Sequence, residues 1–226
     1  MPHRRLIFSD NQFYHIYNRT IASEVIFQNN RDLSRALSLI KYYRYETSLS
    51  FSRYLQLSDK EKKQLFLQPF LPRVDIHAFC FMPNHFHLLL RQLKNKGIQE
   101  TVSYFQNGMA KYINVRKKRN GSLFCHPFKA KHIESEEQLL HISRYIHLNP
   151  VVSNSIRVED LIFSPYTSFK HYHDKRSYPF VRTDLIINKK RSYVKYQKFV
   201  FDQADYQKKL SKIKLLMCES QGFKAI

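Results

Sequence analysis

Glycine is scarce in this 226-residue chain, 4 residues in all. That disfavours glycine-rich nucleotide loops, glycine-patterned repeats and small barrels with many tight turns. Cysteine is rarer still. Cys80, Cys125 and Cys218 are odd in number, far apart and without a Cys-x-x-Cys pair. This spacing argues against a disulfide framework or a thiolate zinc site, and for a reducing compartment. Long apolar runs are missing too: no window has the uncharged stretch of a membrane helix, and Met1–Leu6 (MPHRRL) lacks a signal peptide's apolar core. Carboxylates are few, 18 Asp+Glu against 38 Lys+Arg. The expectation is a soluble cytoplasmic protein with no membrane partner, drawn to the nucleoid by its charge.

What remains is basic and aromatic. Hydrophobic residues make up 43% and aromatic residues 15%, enough for a sizeable core despite a net charge of +20. Residues 1–170 carry +12 of that charge and residues 171–226 carry +8. An excess spread over body and tail suits a surface that tracks a polyanion, so nucleic acid is the expected partner.

Phe13–Asn18 (FYHIYN) alternates as a strand does. Arg31–Tyr45 repeats Leu33, Ala36, Leu37 and Ile40 at helical spacing after an asparagine cap. Residues 48–72 look like an insertion, with a capping box at Ser58–Glu61 and prolines 69 and 72 closing it. Val74–Met82 and His85–Gln92 predict two strands joined by a tight turn. Ile98–Arg119 is a long helical pattern, Leu123–Ile133 another strand, and Ser135–Leu148 a helix stopped at Asn149-Pro150. The order predicts an α+β, ferredoxin-like antiparallel sheet with helices packed on it, in a domain over residues 1–172. Residues 173–226 form a basic extension, helical over Gln203–Leu216.

Two side-chain patterns could do chemistry. On a strand, His85 and His87 point to one face and Phe86 and Leu88 to the other. Two such imidazoles can chelate one divalent cation if a third ligand arrives from elsewhere. The pair alone is unspecific: about half a His-x-His is expected by chance in a chain this rich in histidine. His171/His173 repeats it among residues that read as surface. In the second pattern, Tyr145 and Asn149 share a helix face one turn apart. A phenol, with a free pKa of about 10, becomes a useful nucleophile when a cation polarises its target. Packing on the sheet is the competing use of such a ring.

Met82–Leu90 (MPNHFHLLL), Gly121–Ala130 (GSLFCHPFKA) and Tyr145–Val151 (YIHLNPV), in this order and spacing, resemble the small single-tyrosine HUH transposases, in particular REP-associated tyrosine transposases. The resemblance covers roughly residues 8–170. It implies that His85, His87 and Asn149 hold Mg²⁺ or Mn²⁺. It implies too that Tyr145 attacks single-stranded DNA carrying hairpins, leaving a 5′-phosphotyrosine and a free 3′-OH that strand transfer rejoins. Relatives of this type place the tyrosine either in its own subunit's site or in a partner's, and the second arrangement calls for a homodimer.

Arg116, Lys117, Lys118 and Arg119, with Lys129 and Lys131, are the expected contacts to the DNA backbone. Phe124 and Phe128 beside them suit the core better than base stacking. Lys189-Lys190-Arg191 with Tyr193 and Tyr196 is a further basic and aromatic mixture that suits DNA. The competing function is a domesticated, non-catalytic binder of structured single strands, and a third is an RNA-processing phosphodiesterase.

Overall fold

Four alternating segments enter one antiparallel sheet in the computed structural model, which describes residues 6–67, 71–204 and 206. They are β1 (Phe13–Arg19), β2 (Val74–Met82), β3 (His85–Gln92) and β4 (Lys129–Ile133), in the spatial order β2-β3-β1-β4. Between β1 and β2 run α1 (Asn30–Tyr43), α2 (Phe51–Gln56) and α3 (Asp59–Leu67), and α4 (Gly97–Lys117) joins β3 to β4. After β4 come α5 (Glu136–Val152), α6 (Phe169–His173), α7 (Asp184–Lys190) and α8 (Tyr193–Phe201). The fold is α+β, with β1 and β3 as the inner strands of the sheet.

Local chemistry starts the helices where the sequence predicts. Asn29 Oδ1 accepts from the Asp32 N–H at 2.9 Å, and Ser135 Oγ from the Gln138 N–H at 3.1 Å. Ser58 and Glu61 exchange the two bonds of a capping box at the head of α3.

The pleat then sorts β3. Phe86, Leu88 and Leu90 are fully buried on one side, where Phe86 meets Phe105 of α4 edge-on at 5.2 Å. His85, His87 and Leu89 face the other side, where α5 lies mainly over β2 and β3. On the neighbouring β1–β4 half, Lys129 and Lys131 are exposed. Among the described residues no helix is long and apolar enough to cross a membrane.

Four expectations need correction. The strand expected over Leu123–Ile133 starts only at Lys129. Pro127 has no N–H for a ladder, and Leu123 and Phe124 turn into the core instead. Helix α5 does not stop at Asn149-Pro150 but runs to Val152. Pro150 forfeits one hydrogen bond near the end of the helix, and the fully buried Val151 holds the last turn against the core. His171 is not a surface residue. It sits buried on α6, where residues two apart diverge, and its Nδ1 accepts from the Tyr178 N–H at 3.0 Å. Tyr196 is buried as well and cannot stack on DNA, while Lys189 pairs with Glu136.

Residues 173–204 pack on the body: α7 and α8 both touch α5. The helix expected over Gln203–Leu216 falls almost wholly outside the described residues.

Candidate active site

The register of β1 against β3 builds the site. Tyr17 pairs with His87, His15 with Leu89 and Arg19 with His85, so His15, Tyr17, His85 and His87 share one face. His15 and His87 lie on the diagonal, close enough for side-chain contact. His15 Nε2 and His87 Nδ1 form a buried hydrogen bond of 2.9 Å, and their rings stack with centroids 5.1 Å apart. Tyr17 stacks on both, 5.0 Å from His15 and 5.8 Å from His87. On the far side of β1, Lys129 pairs with Tyr17 and Lys131 with His15.

Helix α5 supplies the phenol. Ser143, Ile146, His147 and Val151 are buried along its inner side. Tyr145 lies at the edge of that side and keeps 40% of its surface exposed. Its ring stands edge-on to His87 at 5.6 Å and to His15 at 5.7 Å. One turn on, Asn149 Nδ2 donates to the Tyr145 carbonyl at 2.9 Å, which leaves its amide oxygen for other work. Burial raises the phenol's pKa, and a hydrogen bond with the Asn149 side chain opposes that rise.

The imidazoles are held neutral. Burial brings His85 down to about 4, with the Arg19 cation adding to the effect. His15 falls to about 4 through burial and the Lys131 cation, and His87 lies well below its ordinary value. Neutral imidazole is the metal-binding form. His85 donates its Nδ1–H to Asn84 Oδ1 at 2.8 Å, which fixes Nε2 as its lone-pair atom. The His15 bond occupies Nδ1 of His87 in the same way. Among the described residues no group of three or more His, Cys, Asp and Glu is arranged to hold a metal ion. Two imidazoles alone are an incomplete set for a hard divalent cation, which calls for oxygen donors besides them; the Asn84 amide bonds His85, and the Asn149 amide stands one turn from Tyr145.

The sequence-predicted site residues fall into two groups. His85, His87, Tyr145, Asn149, Lys129 and Lys131 come together on or beside one sheet face. Arg116, Lys117 and Arg119 are engaged within the chain: Arg116 with Asp32 at 2.6 Å, Lys117 with Glu24 at 2.9 Å, and Arg119 with Glu24. Lys118 is the exposed, left-handed cap of α4. Phe124 is core, against Phe86 at 5.7 Å. His15 and Tyr17 are the members that sequence reasoning missed. Their signal was the alternation in FYHIYN, and only the strand register joins it to His87.

Residues 71–149 match the family described as "Transposase IS200 like". Over that stretch, about a third of its length, the chain is similar to the IS200-like transposases. The matched segment runs from just before β2 to Asn149 and carries both histidines of β3 and Tyr145. His15 and Tyr17 lie outside it. No curated protein matches the chain. Among solved structures, the chain is similar to a REP-associated tyrosine transposase bound to a REP hairpin, at 14% identity and a TM-score of 0.46. That match covers 81% of this chain and 92% of the other.

Proposed function

We propose that the protein cuts and rejoins hairpin-bearing single-stranded DNA, with Tyr145 as the nucleophile. One observation carries the reading: the Tyr145 ring lies 5.6 Å from His87 of the same chain, although β3 and α5 are separated by a helix and a strand. The phenol oxygen attacks the phosphorus of a phosphodiester and forms an O–P bond. The bond to the 3′ oxygen breaks, the phenol gives up its proton, and the departing 3′ oxygen is protonated. The product is a 5′-phosphotyrosine and a free 3′-OH, so reversal rejoins strands without hydrolysis.

His85, His87 and Asn149 would hold Mg²⁺ or Mn²⁺, which when bound would polarise the phosphoryl oxygens and offset charge on the leaving oxygen. His15 holds the His87 ring in register. Lys129 and Lys131 place cations along the strand's approach over β1 and β4. Tyr17 presents a ring beside the site on which a base can stack. Because Tyr145 stands next to its own chain's histidines, the reading is of action within one subunit, with no exchange of tyrosines between partners.

The test is incubation with hairpin-bearing single-stranded DNA and Mn²⁺, followed by denaturing electrophoresis. Wild-type protein forms an adduct that resists denaturation, and Tyr145→Phe forms none. An adduct of equal yield in Tyr145→Phe would remove the tyrosine from its role. Salt-sensitive binding without any adduct from the wild type would favour a non-catalytic binder.

A further inference from the structure

On the side of the sheet opposite Tyr145, helices α1 and α4 border a groove of about 860 Å³, closed at one end by Thr47–Ser52 at the start of the insertion. The helices come together where Gly108 faces Leu39: a Cβ on Gly108 would lie 2.7 Å from a Leu39 methyl. Arg31 and Arg35 project from α1, and Lys111 and Arg116 from α4. Among the described residues, no carboxylate lines the groove.

Asp32, which bonds the groove residues Arg116 and Tyr112, is buried and already occupied. It accepts from Arg116 at 2.6 Å, from the Tyr112 hydroxyl at 2.9 Å and from Asn29 Nδ2 at 2.9 Å. Arg31, Arg35 and Lys111 have no carboxylate partner among the described residues. Arg35 is nevertheless held in place, its guanidinium 5.0 Å from the Tyr112 ring and 5.3 Å from the ring of Phe51, a residue of the insertion. Stacking fixes the cation while leaving its N–H donors unspent. Tyr104, 41% exposed, adds an accessible ring to the same groove.

Cations without counter-ions, interleaved with aromatic faces along an open trough, suit a single nucleic-acid strand better than an acidic peptide, which has no use for the rings. The trough also leads somewhere. Asn107 and Lys111 line a second hollow whose other wall is Gly121–Phe124 with His126, three residues before Lys129 of β4. We propose that this groove is a second DNA-binding surface, built by the insertion, which grips single-stranded DNA running over the β4 edge from the Tyr145 site. The inference rests on the reading of the protein as a single-strand DNA enzyme.

The experiment measures binding by fluorescence anisotropy across a range of NaCl concentrations, with the full chain and two DNAs. One is a hairpin with long single-stranded tails, the other an oligonucleotide too short to reach both faces. The variant is Arg31→Gln with Lys111→Gln, two exposed side chains whose loss leaves the core intact. For the long DNA, the slope of log affinity against log salt becomes shallower by about 1.4, about 0.7 for each lost phosphate contact. Binding of the short DNA, and its adduct with Tyr145, stay as in the wild type. A wild-type slope in the double variant would overturn the proposal. So would competition by polyglutamate equal to that of unlabelled DNA, or an equal slope change with RNA of the same sequence. If the active-site reading alone is wrong, no adduct forms from either DNA while the slope difference persists.

Discussion

At the scale of single residues, the candidate site includes a histidine whose ring nitrogen is taken up by another histidine. His15 is 6% exposed and spends its Nε2 on His87. With that bond in place, the second nitrogen of His87 faces its task in one tautomer and one orientation. His15→Phe keeps the ring stacking and deletes the hydrogen bond. Mn²⁺ affinity, read by calorimetry or paramagnetic resonance, is expected to fall about 10- to 100-fold, the usual range for such supporting partners. His15→Gln, which can still hydrogen-bond, recovers part of the loss. Unchanged affinity in His15→Phe would assign the residue to packing alone. Strand and helix periods put His85 with His87 on one face and Tyr145 with Asn149 on another, but only the resemblance of their motifs to the HUH transposases singled these four out as a candidate site. His15 and Tyr17 were not legible in the sequence, because which strand lies beside β3 is decided by sheet order, to which local spacing is blind. Arg116 and Arg119 show the converse limit. Their charge is plain in the sequence, but whether it meets a phosphate or Asp32 and Glu24 depends on loops folded far away.

At the scale of elements, the helix that carries Tyr145 is clamped by a closed chain of hydrogen bonds. Ser168 Oγ accepts from the Phe79 N–H of β2 and donates to His147 Nε2, at 2.9 and 2.7 Å. His147 Nδ1 then donates to the Tyr196 hydroxyl, and that hydroxyl to Ser143 Oγ, each at 2.9 Å. Ser143 closes the series on the Leu140 carbonyl. Every polar atom has its partner, which is what makes a fully buried network stabilising. Tyr196→Phe leaves an imidazole N–H and a serine oxygen unmatched in the core. The expected cost is about 1–3 kcal/mol in urea denaturation. A variant as stable as the wild type would show that water fills the gap. The four strands and the long helices were legible because alternation and capping are local properties. The packing of α8 was not: Tyr193 and Tyr196 sit beside three cations in the sequence, and only the third dimension sends Tyr196 inward.

At the scale of the whole molecule, buried neutral histidines tie stability to pH. His77, facing Asp75, Arg91, Arg182 and the Phe13 ring, is brought down to about 4 by burial, its largest influence. Its Nδ1 bonds the Arg182 carbonyl at 2.9 Å, while Nε2 is buried without an acceptor, so an added proton has nowhere to bond. The unfolded chain takes up that proton near 6.5, above the folded value, so the contribution is complete above pH 6.5 and is lost as pH falls towards 4. Between pH 7 and 5 the loss from this residue is about 2 kcal/mol. Other buried histidines lose stability over the same range, so urea titrations at the two pH values should show a loss smaller by about 2 kcal/mol in His77→Gln than in the wild type; the same pH difference in both would clear His77 of the acid sensitivity. One consequence of the clamp concerns synthesis. His15 enters the sheet from one end of the sequence and Tyr196 braces α5 from the other. A chain still emerging from the ribosome has its paired histidines long before the helix bearing Tyr145 is braced, so under the proposed function DNA cutting waits until translation has passed position 196.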